Sequence, residues 1–300
     1  MINLKYVKSP LKWIGGKNQI LENIIEKIPN EIDSYYEPFL GGGTILIQVL
    51  YNKYINKIKI NNIYASDINP ALIYLFKNIQ SNYHLLIDEL NIIINIYNNI
   101  ITNIINRNPL NLDEAKSSQE SYYYWIRQEY NKLNNKTIPL ASAMFLFLNK
   151  TGFRGLYREG PNGYNVPFGH YKNPTVYDLE NIKTLNFLFK DVIFEVCSYE
   201  KIFERLKNND FIYLDPPYMQ ITKTSFVSYV KNGFNNDFNE NLFNLCQELY
   251  LKNIKFIMSN AYLEYIINKF KNCKIETISC KRRINSKNPD SKVDELIIYN

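Results

Sequence analysis

Histidines and paired cysteines are scarce in this 300-residue chain. It has two histidines and four cysteines, and no two cysteines form a Cys-x-x-Cys pair. This content excludes a His-rich metal site and argues against a zinc site or a disulfide framework. We therefore expect no metal ion. Chemistry based on histidine is also disfavoured, so the function should depend on carboxylates, backbone groups and aromatic rings.

Long apolar segments are missing as well. No stretch is apolar enough over sufficient length to span a membrane, and the first residues lack the apolar core of a signal peptide. We expect a soluble, non-exported protein with no membrane partner. The formal charge of +6 is compatible with a polyanionic partner but does not identify one.

The pattern of the chain divides it into three stretches. Strand-like and helix-like segments alternate up to residue 77 and again from residue 188, which predicts an α/β fold with a parallel sheet covered on both faces. The stretch between them is mostly helical in period and ends in a segment rich in Gly, Pro and aromatic residues. Its Pro161-Asn162-Gly163 predicts a β-hairpin. We predict one domain formed by 1–77 and 188–300, with 78–187 inserted as a second, mainly helical domain.

The segment EPFLGGGT, residues 37–44, predicts a strand that leads through three glycines into a helix. Glycines let a ligand approach the backbone, and a helix N-terminus presents free N–H groups. Asp67 follows a second predicted strand, where it could accept hydrogen bonds from ribose hydroxyls or cap the next helix. The two features favour a nucleoside-containing cofactor, although the GxGxxG pattern of dinucleotide sites is missing.

The segment FIYLDPPY, residues 211–218, predicts a strand that stops at two prolines. Asp215 and the carbonyl of Pro216 are two neighbouring acceptors, and such a pair suits an exocyclic amino group with two protons to donate. Tyr218 offers a flat face on which a base could stack. The alternative is a turn with a capping Asp and a packed Tyr. Asp-Pro pairs are common in turns, but Asp-Pro-Pro-Tyr after an apolar strand is far more specific and favours a functional site.

The motifs LKWIGGK, EPFLGGGT, SDIN and DPPY, in this order, resemble the Dam-type family (D12 class, alpha group) of S-adenosylmethionine-dependent DNA adenine-N6 methyltransferases. The resemblance covers nearly the whole chain. It implies a Rossmann-like methyltransferase sheet, with 78–187 as a DNA-recognition domain that bears the hairpin. It also implies that the enzyme methylates a flipped adenine in double-stranded DNA, in the bacterial cytoplasm or in an infected host cell, through Asp215, Pro216 and Tyr218.

The resemblance implies roles in binding S-adenosylmethionine for a set of residues from several segments. Lys17 would meet either the cofactor carboxylate or a nearby acid, Glu37 would lie near the cofactor amino group, and Asp67 would hold the ribose. Ser198 and Tyr199 would border the adenine of the cofactor. The full set is Trp13, Lys17, Glu37, Phe39, Gly41, Gly43, Asp67, Ser198, Tyr199 and Asp215.

The resemblance also implies DNA contacts. Phe153 would insert beside the flipped base, Arg158 would read a guanine through N7 and O6, and Arg154 would cover the orphaned partner base. Family members commonly have a small amide at position 154, which puts this last role in doubt. Leu156 and Pro167 would contact thymine or pyrimidine edges. Because Leu156, Arg158 and Pro167 stand where GATC-reading members of the family have such residues, the resemblance predicts GATC as the recognition sequence. The full set is Lys12, Phe153, Arg154, Leu156, Arg158, Pro167, Thr222, Lys223, Arg282 and Arg283.

Several alternatives remain open at this point. The basic stretch that contains Arg282 and Arg283 could instead be a solvated charged turn. A methyltransferase for protein amides would usually carry Asn before Pro-Pro-Tyr, and one for RNA adenines generally departs from this motif. A third alternative is an inactive DNA-binding homologue. The sequence does not decide whether a separately acting restriction endonuclease accompanies the enzyme.

Overall fold

The computed structural model of the protein describes residues 7–218, 234–281 and 292–300. The predictions for Thr222, Lys223, Arg282 and Arg283 lie outside these residues. Within the described part of the chain, no helix combines the length and apolarity needed to cross a membrane. Nor do these residues contain a group of three or more His, Cys, Asp or Glu side chains arranged to hold a metal ion.

The described residues form a mixed α/β fold, as the sequence predicted. The helices are α1 (Leu21–Ile25), α2 (Thr44–Tyr54), α3 (Pro70–Ser81), α4 (Tyr83–Asn98), α5 (Leu112–Ala115), α6 (Gln119–Lys132), α7 (Pro139–Thr151), α8 (Leu179–Leu188), α9 (Tyr199–Phe203), α10 (Phe234–Leu251) and α11 (Glu264–Lys269). The strands are β1 (Glu31–Glu37), β2 (Lys59–Asp67), β3 (Glu159–Gly160), β4 (Gly163–Tyr164), β5 (Val192–Val196), β6 (Phe211–Leu214), β7 (Lys255–Ala261), β8 (Lys274–Lys281) and β9 (Lys292–Tyr299).

Seven strands form one sheet, in the order β5-β2-β1-β6-β7-β9-β8. β1 pairs in parallel with β2 and β6, and β6 pairs in parallel with β7. β9 is antiparallel to both β7 and β8, so the sheet is mostly but not wholly parallel. β8 ends at Lys281 and β9 begins at Lys292, a separation too short for the crossover that a parallel pair needs.

The chain divides into two compact units, each of which consists of three separate stretches of sequence. The first unit consists of Met1–Gly16, Gly41–Tyr51 and Asn69–Phe194. The second unit consists of Lys17–Leu40, Asn52–Ile68 and Glu195–Asn300. The functional domains predicted from the sequence, with boundaries at 77/78 and 187/188, stay a prediction.

The sheet strands of the second unit have one apolar and one more polar face. Side chains alternate along a strand, and paired residues of neighbouring strands share a face. Tyr36, Ile212, Met258 and Ile298 lie on the apolar face, in a core completed by residues of α9, α10 and α11. The pairings Tyr213–Ile257 and Ala261–Glu295 belong to the opposite face. That opposite face carries the polar side chains of Tyr213, Ser259 and Glu295.

In the first unit, helix α7 is buried along nearly its whole length, from Ala141 to Thr151. It packs against α3, α4 and α6. The helix ends at Gly152 and the chain continues into a short 3₁₀ turn, Phe153–Gly155. The predicted hairpin follows: β3 and β4 pair antiparallel around Pro161 and Asn162.

The Asn- and Ile-rich stretch after residue 82 is less helical than its period predicted. Helix α4 stops at Asn98, and no helix forms again until α5. Side chains provide hydrogen-bond partners that replace a continued helix: the Asn106 amide donates to Ser121 Oγ, and the Leu110 amide donates to Glu114 Oε2. Ile101 is 95% exposed, so the apolar residues of this stretch have no core face to occupy.

Candidate active site

Three adjacent parallel strands of the second unit end in an acidic residue. Glu37 ends β1, Asp67 ends β2, and Asp215 directly follows β6. The strand order β2-β1-β6 makes these strands neighbours. Because the carboxyl ends of parallel strands lie at the same edge of a sheet, the three carboxylates belong to one edge, where open α/β sheets bind their ligands.

Asp215 forms an ion pair with Lys17. The Nζ atom of Lys17 lies 2.9 Å from Oδ1 of Asp215, and the exposed fractions of the two side chains are 6% and 21%. The sequence left open whether Lys17 meets the cofactor carboxylate or an acid of the protein. In this structure Lys17 pairs with an acid of the protein, Asp215, which is the first residue of the Asp-Pro-Pro-Tyr motif.

The pKa of Asp215 is raised to about 6. Burial is the main cause, because it disfavours the charged carboxylate. Lys17 opposes this effect, and the charge of Glu295 adds to it. Asp215 is therefore mostly ionised at neutral pH, which leaves both of its oxygens as acceptors, and it becomes protonated as the pH falls below about 6.

Tyr218 is held from two sides. Its hydroxyl donates a hydrogen bond of 3.0 Å to Oε2 of Glu295. The ammonium of Lys17 lies 4.7 Å from the centroid of its ring. Burial, followed by the charges of Asp215 and Glu295, raises the pKa of Tyr218. The hydroxyl consequently remains protonated and acts as a donor.

Buried hydroxyl groups also occupy this face of the sheet. The hydroxyl of Tyr35 donates to Oε2 of Glu37 over 2.6 Å, and the hydroxyls of Tyr213 and Ser259 are 2.9 Å apart. Burial raises the pKa of both tyrosines. The hydroxyls of Tyr35, Tyr213 and Ser259 thus each have a partner, which fixes these side chains.

Asp67 does not cap the helix that follows it. Asn69 is the N-cap of α3, and its Oδ1 accepts a hydrogen bond of 3.0 Å from the amide of Ala71. The backbone carbonyl of Asp67 accepts from the Cys197 amide. The capping alternative considered for Asp67 is therefore wrong, and its predicted contact with ribose stays a prediction.

Phe39 and Tyr199 pack together in the second unit. Their ring centroids are 5.5 Å apart with an interplanar angle of 30°, and Phe238 meets both rings edge-on. The hydroxyl of Tyr199 accepts a hydrogen bond from Asn241 Nδ2. Ser198 is the N-cap of α9 but makes no side-chain capping bond. Tyr199 is only 4% exposed, so the structure shows its packing role, and its contact with a cofactor stays a prediction.

The glycine segment belongs to the first unit, where Trp13 packs directly on it. Gly41 and Gly43 have positive φ angles of 47° and 70°. A Cβ atom at Gly41 would lie 2.9 Å from Trp13 Nε1, and one at Gly42 would lie 2.9 Å from Trp13 Cβ. The glycines are thus needed for the backbone conformation and for the indole, whatever else approaches them.

The residues predicted to contact DNA bases lie on one short segment of the first unit. Phe153 is 42% exposed, and the guanidinium carbon of Arg154 is 5.1 Å from its ring centroid. Arg158 donates from Nε to Asn165 Oδ1 over 2.6 Å and from Nη2 to the Asn165 carbonyl. The Phe153 amide donates a hydrogen bond to the carbonyl of Pro167. Pro167 is exposed, and Leu156 is half-buried.

Arg154 has a backbone φ of 56°, in the left-handed region. Asn adopts this conformation more readily than Arg does, because its short side chain can make local hydrogen bonds. The small amide that the resemblance leads one to expect at this position would therefore fit the backbone. The structure gives a conformational reason for an amide here, and leaves the role of Arg154 toward an orphaned base as a prediction.

Lys12 is connected to the same segment through Asn149. The Lys12 amide donates to Asn149 Oδ1 over 2.8 Å, and Asn149 Nδ2 donates to the carbonyls of Lys12 and Gly155. The ammonium of Lys12 donates to the Lys150 carbonyl and lies 3.8 Å from the ring centroid of Tyr171. The structure therefore places Lys12 beside the predicted base-reading residues, although about 140 positions separate them in sequence.

The sequence did not identify Glu295, Ser259 or Asn149. The strand-like segment ELIIY contains the only signal for Glu295, since a carboxylate at the start of an apolar strand needs a partner. Nothing in the sequence indicates that this partner is Tyr218. That contact depends on the order and register of the strands.

The mostly parallel sheet and the three acids at its strand ends place the protein in the α/β class whose ligand sites lie at the carboxyl edge of the sheet. Beyond this class, the chain belongs to the family of D12 class N6 adenine-specific DNA methyltransferases, whose model matches residues 13–284. The resemblance inferred from the motifs is confirmed, and so is the enzyme class.

Similar proteins extend over nearly the same length. The type II methyltransferase M.MjaIII of Methanocaldococcus jannaschii is 35% identical, over 98% of this chain and 99% of its own. The DNA adenine methylase of Haemophilus influenzae is 30% identical, over 96% and 91%. The Retron Ec67 DNA adenine methylase of Escherichia coli is 28% identical, over 96% and 89%.

Proposed function

We propose that this enzyme transfers the methyl group of S-adenosylmethionine to N6 of an adenine that has flipped out of a DNA duplex, within the sequence GATC. The observation that carries the proposal is the partly buried carboxylate of Asp215 at the carboxyl end of β6, in an ion pair with Lys17 and followed in the chain by Pro216 and Tyr218. Membership in the family supports adenine in DNA as the substrate.

The residues present suit S-adenosylmethionine. Glu37 and Asp67, at the ends of the adjacent strands β1 and β2, offer carboxylates for the cofactor ammonium and for ribose hydroxyls. Phe39 is half-buried beside Tyr199 and lies two residues after Glu37, so its ring could contact the cofactor. When bound, the cofactor supplies a methyl group that its sulfonium makes electrophilic.

Asp215 and Pro216 would act on the adenine amino group. The N6 lone pair is delocalised into the ring, so N6 is a weak nucleophile. Hydrogen bonds from its two N–H groups to the Asp215 carboxylate and the Pro216 carbonyl would favour a pyramidal nitrogen with a localised lone pair; after methylation one N6 proton is lost and the other remains. Lys17 Nζ lies 2.9 Å from Oδ1 of Asp215, and an ionised carboxylate has about four acceptor sites on its two oxygens, so the ion pair and a hydrogen bond from N6 are compatible.

Tyr218 would hold the base by stacking, since an adenine within a duplex cannot reach Asp215 without leaving the helix. Phe153, exposed on the first unit, would fill the space left in the base stack. Arg158 would bind guanine with the guanidinium that Asn165 now orients, and Leu156 and Pro167 would contact pyrimidine edges. These residues support GATC as the site, and the relatives named DNA adenine methylases support adenine in DNA as the target.

The test is to express the protein in a host without adenine methylation and map modified bases by long-read sequencing. We expect N6-methyladenine in GATC for the wild type. Asp215→Asn should abolish it, because an amide presents an N–H₂ donor group where a carboxylate oxygen must accept. Asp33→Asn, which alters an exposed acid on β1, is the matched control and should retain activity.

Each other outcome changes the proposal in a defined way. Modified adenine in another sequence would refute GATC alone. Methylation of RNA or of a protein amide, without methylation of DNA, would refute DNA as the substrate. A protein that binds S-adenosylmethionine and DNA but methylates neither would be the inactive homologue. Coexpression with neighbouring genes tests whether a restriction endonuclease accompanies the enzyme, a question raised by the M. jannaschii relative named as a type II methyltransferase.

A further inference from the structure

The hydroxyl of Tyr218 is bonded to a residue on a strand that is not adjacent to its own. Tyr218 lies four residues beyond the end of β6, outside the paired part of that strand. Its partner Glu295 belongs to β9, where it is paired with Ala261 of β7 and with Ile278 of β8. The acceptor is therefore fixed by strand pairing on both sides, whereas the donor is not in the sheet.

The side chain of Glu295 reaches Tyr218 across β7, which separates β6 from β9 in the sheet. The β7 residue opposite Glu295 is Ala261. Opposite residues of an antiparallel pair project to the same face, so Ala261 puts only a methyl group beside Glu295. The Glu295 carboxylate accepts the Tyr218 hydrogen bond over 3.0 Å.

The hydrogen bond holds Tyr218 by the edge of its ring. An edge contact fixes the position of the hydroxyl but leaves the ring faces accessible to other groups. In this structure the ammonium of Lys17 lies over the ring, 4.7 Å from its centroid, and pairs with Asp215 at the same time. A stacked base would thus meet a ring whose position is already set.

We propose that Glu295 is a positioning residue for the target base: it holds the hydroxyl of Tyr218 so that the ring and the Asp215 carboxylate engage the same adenine. The inference rests on the function proposed above. A carboxylate suits this role because a hydrogen bond to a charged acceptor is roughly twice as strong as one between neutral groups. Glu295 acts through Tyr218 and need not contact the base.

The test is a double-mutant cycle of Tyr218→Phe and Glu295→Ala, read by two assays. The first is the single-turnover rate of methylation with saturating cofactor, and the second is the fluorescence of 2-aminopurine at the target position, which reports base flipping. Each single change should lower the rate about 10-fold or more, the usual effect of losing a hydrogen bond to a charged group. The double variant should be no slower than the slower single variant, since both changes remove one bond.

The controls separate positioning from stability. Tyr299 donates to Glu276 over 2.8 Å, also between two strands of this unit, so Tyr299→Phe and Glu276→Ala remove a similar bond without touching Tyr218. They should leave the rate and the fluorescence unchanged. Glu295→Gln keeps an acceptor and should retain more of the rate than Glu295→Ala. If Glu295→Ala fails to fold, Tyr218→Phe compared with Glu295→Gln still decides the question.

Two results would overturn the inference in different ways. Additive losses in the cycle, or an unchanged rate and fluorescence in Tyr218→Phe, with an active wild type, would refute the role of Glu295 alone. A wild type that does not methylate adenine in DNA would refute the proposed function, and this inference would fail with it.

Discussion

The ion pair between Lys17 and Asp215 predicts a shift in the pH dependence of methylation when Lys17 is replaced by Gln. The ionised form of Asp215 is the stronger acceptor for the N6 hydrogen bond, so the rate should rise with pH through the pKa of this carboxyl. For the wild type this acidic limb should have its midpoint near pH 6, since the pKa of Asp215 is raised to about 6.

The structure sets the direction and approximate size of the shift. Unit charges 2.9 Å apart attract each other by about 6 kcal/mol at an effective dielectric constant of about 20, which is an upper limit for this pair. An opposite charge at such a distance typically lowers a carboxyl pKa by about 1 to 3 pH units. Without Lys17, burial and Glu295 act unopposed, and the midpoint should move to about pH 7 to 9.

The measurement is kcat/KM for DNA between pH 5 and 9, with saturating cofactor. The midpoint is the relevant quantity, because Lys17→Gln can also lower the maximum rate. Lys27→Gln is the matched control: Lys27 forms a 2.8 Å ion pair with Glu276 in the same unit but does not contact Asp215. An acidic limb that stays near pH 6 in Lys17→Gln would refute the assignment of this limb to Asp215 or the coupling of the two residues.

Three further predictions concern other residues. The pKa of Asp215 is higher in the folded than in the unfolded state, so its ionisation destabilises the fold as pH rises from 4 to 7. Chemical denaturation should show the stability of Asp215→Asn increasing over this range by about 2 kcal/mol relative to wild type. Arg158→Ala should weaken selection of guanine by about 10-fold or more, measured by methylation of DNA with single substitutions in GATC. Phe153→Ala should reduce base flipping, measured by 2-aminopurine fluorescence, without changing the selected sequence. Arg154→Gly should stabilise the protein by about 1 kcal/mol in urea denaturation, because its φ of 56° is unfavourable for Arg, and an equal loss of stability would contradict that reasoning.

The local signals in the chain were sufficient for the elements that carry the motifs. An apolar run followed by an acid placed Glu37, Asp67 and Asp215 at strand ends, and each strand is present. Pro161 and Asn162 form the turn of the hairpin, and Gly152 ends α7. These predictions succeeded because turns, caps and strand ends depend on a few consecutive residues.

The contacts within the site could not be obtained in this way. Lys17 and Asp215 are far apart in the chain, and Glu295 of β9 meets Tyr218 although β7 lies between β6 and β9 in the sheet. The antiparallel position of β9 and the early end of α4 were likewise missed. Strand order, direction and register arise from the packing of the whole sheet. The sequence by itself identifies Asp215 and Pro216 as acceptors for hydrogen bonds from an amino group. Only the tertiary structure places Lys17 beside Asp215 and Glu295 beside Tyr218.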